Sequence, residues 1–375
     1  MVTQASVFWA GRRVFVTGHT GFKGSWLCLW LQSLGAEVTG FALDAPTQPS
    51  LFVEADVARG MHHIVGDVRD QAALLDAMRT AHAEVVFHLA AQSLVRPSYT
   101  DPAGTYATNV MGTVHMLDAV RAVESVRAVV NVTTDKCYEN LETERGYVES
   151  DRLGGRDPYS NSKACSELVT SAYRQSFFAQ PATAGGRSVG IATARAGNVI
   201  GGGDWAVDRL IPDLLRAFEQ GVPARVRRPR SVRPWQHVLE PLAGYLRLAE
   251  RLIDDAPRYS NAWNFGPDPD DMRSVDQIAT ALARAYGGNA GFIVDEDVDA
   301  PHEAGLLLLD ASHAQRDLGW RTGLKLDDAL QWIAQWHRAR RDGAHARELT
   351  LEQIARYEAI IGASATRMAN SSSFA

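Results

Sequence analysis

The chain is poor in cysteine, with only Cys28, Cys137 and Cys165 among 375 residues. Their spacing fits neither a zinc site nor a disulfide framework, so no metal is expected and a reduced, cytoplasmic setting is. Basic charge is not in excess. Lys and Arg number 38 against 44 Asp and Glu, a net charge of -6, which argues against nucleic acid as a partner. No apolar run is long enough to span a bilayer, so no membrane partner is expected. Met1 to Ala10 lacks the basic start and long apolar stretch of a signal peptide. What is present is 46% hydrophobic and 22% charged residues. That supports a full core in one large α/β domain or two closely joined ones.

Short apolar runs at 14–16, 38–43, 63–65, 85–89, 128–132 and 190–194 alternate with helical segments at 22–34, 71–81 and 105–124. A further helix carries Tyr159 and Lys163. Strands that are nearly all apolar and alternate with helices imply a parallel sheet covered on both faces, a Rossmann-type, doubly wound α/β fold. After Ala196 the pattern loosens. Helices are expected at 210–220, 241–252, 275–286 and 326–341, and one more strand at 262–265. The first domain is therefore placed at 1–196 with a return segment at 237–266. A smaller, interleaved domain takes 197–236 and 267–361. Residues 362–375 are small and polar, and a disordered tail is expected there.

Gly18, Gly21 and Gly24 are spaced G-x-x-G-x-x-G between a strand and a helix. Glycine lets a backbone turn sharply and approach a pyrophosphate at the helix N-terminus. Asp44 ends the second strand, where a carboxylate accepts both ribose hydroxyls of an adenosine. Ala45-Pro46-Thr47 brings no arginine for a 2′-phosphate, so NAD is favoured over NADP. The competing reading of Asp44 is a solvated loop acid. Asp67 either meets the adenine amino group or caps the helix that begins near Gln71.

Tyr159 and Lys163 are four residues apart and share one helix face. A cationic lysine there lowers the phenol pKa and lets Tyr159 act as a base. Thr134, at the end of the fifth strand, is placed to hold the same substrate oxygen. Asp135 and Lys136 follow at once, an acid and a base beyond what simple alcohol oxidation needs.

These segments resemble the extended short-chain dehydrogenase/reductases, and within them the nucleotide-sugar 4,6-dehydratases. The resemblance rests on Thr17-Gly-His-Thr-Gly-Phe-Lys-Gly-Ser, His88-Leu-Ala-Ala-Gln, Thr133-Thr-Asp-Lys-Cys-Tyr-Glu-Asn and Asp157-Pro-Tyr-Ser-Asn-Ser-Lys-Ala-Cys. It continues in Arg195-Ala-Gly-Asn-Val-Ile-Gly-Gly-Gly-Asp-Trp and Arg233-Pro-Trp-Gln-His-Val, and covers the chain to about residue 340. It extends the cofactor set to Thr20, Phe22 and Lys23 in the glycine loop, Val68 beside Asp67, and Leu89, Ala90, Ala91 and Gln92 after the fourth strand. It implies oxidation at C4 of a hexose, loss of water across C5 and C6, and reduction at C6. Asp135 is then the acid at O6 and Lys136 the base at C5, where dTDP-glucose and GDP-mannose relatives hold a glutamate. The competing role for Lys136 is a structural cation paired with Asp135 or the sugar. Cys137 reads as a packing residue.

The resemblance also implies a nucleotide-sugar substrate. Within the family the segments are most similar to the branch acting on CDP-glucose, although no stretch spells the base. Arg233 aligns with a diphosphate-binding arginine, and Ser93, Asn198 and Arg209 fall in substrate loops. His302 and Glu303 match a late substrate-closing segment or form a simple loop. Trp205 and Trp235 either wall the ligand or are buried. Relatives pair through two long helices, matched here by 105–124 and 158–175, so a homodimer or homotetramer is expected. The competing reading within the same class is another nucleotide-sugar enzyme, a 4,6-dehydratase acting on UDP-N-acetylhexosamine or a dTDP- or GDP-hexose, or an epimerase, which would not need Asp135 and Lys136. An idle NAD-binding regulator would be free to lose the whole cluster.

Overall fold

Strand β1, Arg13–Thr17, shows how a sheet is built to be covered on both sides. Val14 and Val16 enter one buried core while Phe15 enters the other, the two-residue alternation of a strand. A computed structural model of the chain describes residues 4–178, 188–295 and 305–372. In it β2 (Glu37–Ala42), β3 (His62–Val65), β4 (Val85–His88), β5 (Ala128–Val132), β6 (Gly190–Ala196) and β7 (Ala262–Phe265) complete the sheet. All pairings are parallel, in the order β3-β2-β1-β4-β5-β6-β7. The chain reverses direction of travel across the sheet between β1 and β4. In such folds the ligand crevice opens at that point, beyond the carboxyl ends of the strands. Every expected strand of the sheet is present within two residues of its expected ends.

The expected helix at 105–124 is not uniform. It runs as Pro102–Tyr106, one wide π-type turn Ala107–Met111, then Gly112–Ala122. The wide turn carries buried Asn109, whose side chain bonds the Gln92 backbone at both N–H and C=O. Such turns recur at functional sites.

The second unit has its own core around Ile211, Leu215, Phe218, Leu282, Leu330 and Ile333. It is walled by helices Leu210–Glu219, Val275–Tyr286 and Leu326–Arg341. Two- and three-residue strands join its loops: Asn198–Ile200 with Trp235–His237, Val232–Arg233 with Arg273–Ser274, and Ala224–Val226 with Phe292–Val294.

The last helix, Ala346–Ser372, departs from expectation twice. It packs on the sheet's own helix Phe22–Ser33, where Trp30 donates to Glu358 at 2.8 Å and meets Tyr357 edge-on. Residues 346–361 thus lie against both units and not the second alone, since Trp336 donates to Thr350 and Gln353 donates to Trp332 O on helix Leu326–Arg341. Its backbone also stays helical past Gly362 to Ser372, where a disordered tail was expected. No proline interrupts that stretch, and its alanines favour propagation once the first turns are anchored. Residues 373–375 lie outside the described residues.

Glu240 fastens this helix. Its carboxylate is buried and accepts from Gly323 N, Leu324 N and the Tyr357 hydroxyl. Burial raises its pKa to about 7 despite those donors. A raised carboxyl pKa means that Glu240 stabilises the fold most below about pH 4.5, its unfolded value, and loses that contribution as pH rises through about 7. Glu240→Gln should therefore gain stability relative to wild type from pH 5 to pH 8, by up to about 3 kcal/mol. Thermal melts of both proteins across that range should show the gap widening with pH; a constant gap would contradict the assignment.

Candidate active site

The carboxyl ends of the central strands open into a cleft of about 1050 Å³ between the two units. Every described residue expected to hold cofactor, do chemistry or bind substrate lines it, from Gly18 to Arg233. His302 and Glu303 lie outside the described residues.

The glycine loop leaves β1 with Gly18 at φ +74°, a conformation open to glycine at little cost. A Cβ there would lie 2.6 Å from Ala90 N, and one on Gly24 would lie 2.3 Å from Gly18 O. Gly21 is different, since its Cβ would meet nothing nearer than 3.4 Å. The protein's own packing demands two of the glycines, and Gly21 keeps the cleft side of the loop bare. Thr20 donates to Leu43 O at 2.8 Å and ties the loop to the end of β2. Beside it the Asp44 carboxylate is exposed and makes no hydrogen bond or ion pair among the described residues. Asp67 is not a helix cap. Its carboxylate takes the Arg69 guanidinium, which lowers its pKa, while Asp70 caps the helix Gln71–Thr80.

The helix that carries Tyr159 and Lys163 starts from a strong local signal. Asp157 accepts from Ser160 N at 2.9 Å as N-cap, and Pro158 takes the first helical position, where its fixed φ is already helical. That sets Tyr159 and Lys163 on the face toward β5, both buried. Burial pushes the Tyr159 phenol up to about 12, and the neighbouring Thr134 hydroxyl works against that rise. The expected lowering by Lys163 is not what holds the phenol. Lys163 donates instead to Val132 O at 3.1 Å, and burial lowers its own pKa to about 8. After Thr134, the charge that favours ionised Tyr159 is Arg209.

Beyond β5 the chain makes one tight turn, Asp135–Cys137. Thr134 Oγ1 donates to Asp135 Oδ1 at 2.9 Å and accepts the Lys136 N–H. Asp135 is 2% exposed, and its Oδ2 has no partner among the described residues. Burial raises its pKa over the opposing fields of Lys136 and Arg233. A raised pKa favours the protonated form, the form a general acid needs. Lys136 is half-buried and forms no ion pair with Asp135, acting on it only through space. Lys23 reaches this end of the cleft as well. Burial, then Arg209 and Lys163, lower it to about 7. Cys137 is fully buried with its thiol pushed up, so it packs and does not attack.

Arg209 pairs with Asp204 at 3.1 Å and reaches Ser93 Oγ at 3.1 Å on the facing loop. Arg233 donates to Val232 O and Gly305 O. Arg225 and Arg227 pair with Asp295 and Asp208. Asn198 lies in register with Trp235. Trp235 is buried and bonded to Arg273 O, and half-buried Trp205 meets Trp336 edge-on; both line the cleft. Among the described residues no group of three His, Cys, Asp or Glu is placed to hold a metal ion, and no helix is long and apolar enough to cross a membrane.

Residues 15–245 match the family described as GDP-mannose 4,6 dehydratase. The chain is 53% identical to a CDP-glucose 4,6-dehydratase of Salmonella typhimurium over 88% of this chain and 92% of that one. The chain belongs to the nucleotide-sugar 4,6-dehydratase family. Identity falls to 25% with a probable dTDP-glucose 4,6-dehydratase of Sinorhizobium fredii, over 87% and 92% of the two chains. The dTDP-glucose 4,6-dehydratase DesIV of Streptomyces venezuelae, solved with NAD and TYD bound, shares the fold. Its TM-score is 0.75 at 23% identity, over 88% of this chain and 98% of that one.

Sequence reasoning missed four residues that shape this dehydratase cleft. Asn109 braces Gln92 and reaches Ser162 on the catalytic helix. Asp204 holds Arg209. Glu167 and Arg195 lie directly beneath the site. Glu167 had a readable signal, being four residues beyond Lys163 on the same face; the other three depend on tertiary contact.

The glycine geometry yields a contrast. Gly24→Ala should lower the melting temperature by more than about 5 °C, because backbone must move. Gly21→Ala should leave it within about 2 °C of wild type while weakening dinucleotide binding. Equal melting losses in the two variants would refute the division of roles.

Proposed function

We propose that the protein converts CDP-glucose to CDP-4-keto-6-deoxyglucose, with NAD as a resident cofactor. The gap in identity between the CDP-glucose relative and the dTDP-glucose relatives carries the substrate assignment. The cleft fits the cofactor: Gly21 leaves room for a pyrophosphate, and the unpaired Asp44 carboxylate suits free ribose hydroxyls. Gly18, Thr20, Gly24 and Asp44 would hold its adenosine diphosphate half, with Leu89, Ala90 and Lys163 along the rest. Bound NAD would supply the hydride-transfer chemistry at C4 and C6, with no net redox change over the cycle.

The chain's own groups handle the protons. In its ionised form, which Thr134 and Arg209 favour, Tyr159 takes the proton of the C4 hydroxyl while Thr134 lies beside the same oxygen. The ketone formed at C4 acidifies the hydrogen at C5. Lys136 removes that hydrogen as a proton, and Asp135 gives its own to the departing O6, which leaves as water. After reduction at C6, Lys136 returns a proton to C5. Arg209 and Arg233 are the diphosphate ligands in this reading, with Ser93 and Asn198 beside them.

Purified protein given CDP-, dTDP-, UDP- and GDP-hexoses in turn should form a 4-keto-6-deoxy product, read by its alkaline absorbance, with CDP-glucose first among them. No turnover of CDP-glucose, even with added NAD, would sink the proposal. Lys136→Ala should still oxidise C4 but stall before water is lost, so bound NADH accumulates at 340 nm. Tyr159→Phe should form none.

The protein also self-associates in this reading. Helix Pro158–Tyr173 and the segment Gly112–Ala122 lie side by side, joined by Thr113–Ser166 and Asp118–Tyr173 hydrogen bonds. Leu168 and Met111, 58% and 46% exposed, stand on their outer surface. A second copy covering them gives a dimer, or a tetramer of two dimers. Light scattering should show a dimer or larger for wild type and a monomer for Leu168→Glu; wild-type monomer would refute it. The three free thiols suit a reducing compartment, and the cytoplasm is where we place the protein.

A further inference from the structure

Directly under the catalytic turn lies an ion pair that the proton transfers do not use. Glu167, on the catalytic helix, meets Arg195, on β6, at 2.8 Å, with both side chains nearly inaccessible. Glu167 also accepts from the hydroxyls of Thr133 and Thr193. Arg195 donates to the Tyr138 hydroxyl at 2.8 Å and to Glu149 O at 3.1 Å. The Tyr138 hydroxyl donates onward to Asn264 Oδ1 at 2.8 Å, and its ring stacks on Tyr147. Thr133 and Tyr138 flank the segment Thr134–Cys137 on either side. The pair therefore grips the catalytic turn at both ends and ties it to the helix that carries Tyr159 and Lys163.

A buried ion pair adds little net stability over apolar packing of the same volume. What it adds here is direction. Hydrogen bonds with charged partners are short and angle-dependent, and these converge on one segment from two other elements. We infer that Glu167 and Arg195 are positioning residues, and that through Thr133 and Tyr138 they set Asp135 and Lys136 against the helix face of Tyr159 and Lys163. The Glu167 carboxylate, one helical turn past Lys163, also favours the protonated form of that lysine.

The inference rests on the dehydratase reading and makes the two halves of the reaction separable. Oxidation at C4 uses Tyr159, which is fixed by its own helix, and Thr134, which adjoins the Thr133 end of the grip. Elimination uses Asp135 and Lys136, which stand on the gripped turn. Slackening the Tyr138 end of the grip moves the second pair and leaves Tyr159 in place. Misplacement by about 1 Å costs on the order of 100-fold in rate.

Tyr138→Phe removes one hydroxyl and keeps the stacked ring. Full-length Tyr138→Phe with CDP-glucose should keep KM within about twofold of wild type and lose on the order of tenfold or more in kcat. Bound NADH at 340 nm should accumulate above the wild-type level, and exchange of solvent deuterium into C5 should slow. Glu167→Gln loosens the Thr133 end as well, so it should slow both halves of the reaction, with elimination slowed more than oxidation. If it fails to fold, Thr193→Val and Tyr138→Phe carry the test, with thermal melts recorded for each. Unchanged kcat in Tyr138→Phe would overturn the inference. So would equal slowing of oxidation and elimination alongside a lowered melting temperature, since that marks a merely structural role. The wild type in the same assay separates the two readings. Absence of wild-type product sinks the function itself, whereas a productive wild type with an unaltered balance in Tyr138→Phe sinks the positioning role alone.

Discussion

A parallel sheet covered by helices on both faces admits water only at its strand ends, so any charge placed there must be paired, neutralised or costly. The carboxyl edge of this sheet carries two buried acids with opposite fates. Glu167 has Arg195 and two hydroxyls, and stays ionised with its pKa lowered. Asp135 has one hydrogen bond and an unpartnered oxygen, and burial raises its pKa. Their surroundings push the two carboxyl groups apart: Glu167 is favoured as an anion, and Asp135 towards its protonated form. The same constraint makes His88, hydrogen-bonded to Thr17 beneath the loop, a neutral imidazole with its pKa lowered to about 3.

How far this was legible in the sequence depends on how local each signal is. The strands were readable because residues such as Val14, Phe15 and Val16 are apolar on both faces, and the catalytic helix because Asp157 and Pro158 announce its start. The glycines announced a loop but not their separate duties, which only the approach of Ala90 and of Gly18 O reveals. Strands of two or three residues, such as Val232–Arg233, are too short for any periodicity to show. The coupling of Tyr159 and Lys163 was overstated. A shared helix face brings two side chains near each other, but the carbonyl of Val132 offered Lys163 a nearer partner. Nothing local tells that Ala346–Ser372 docks on Phe22–Ser33, since that depends on Trp30 and Tyr357 meeting across most of the chain's length.

Docking of that last helix bears on the cleft. Trp30 holds it from one side, and Glu240 holds it from the helix that follows strand Trp235–His237. That short strand is continuous with the loop bearing Arg233 and pairs with the strand bearing Asn198. The two units are thus joined behind the cleft by packed side chains. At its mouth Arg209 reaches across to Ser93. A firm back and a polar front suit a cleft that must admit a large, charged ligand and still hold reacting atoms closely.

The charge gathered at that front completes the argument. A chain of net charge -6 lines one cleft with Lys23, Lys136, Lys163, Arg209 and Arg233. Confinement among like charges has a consequence for the lysines: burial and mutual repulsion lower Lys23 to about 7, and burial lowers Lys163 to about 8. Both values lie close to neutral pH, so a fraction of these amines is uncharged in the free protein. A dianionic ligand entering the cleft favours their protonated forms. Binding of a diphosphate is then linked to proton uptake, and its affinity falls as pH rises through the two lowered values. The fold thereby makes the electrostatics of its cleft conditional on the charge of what occupies it.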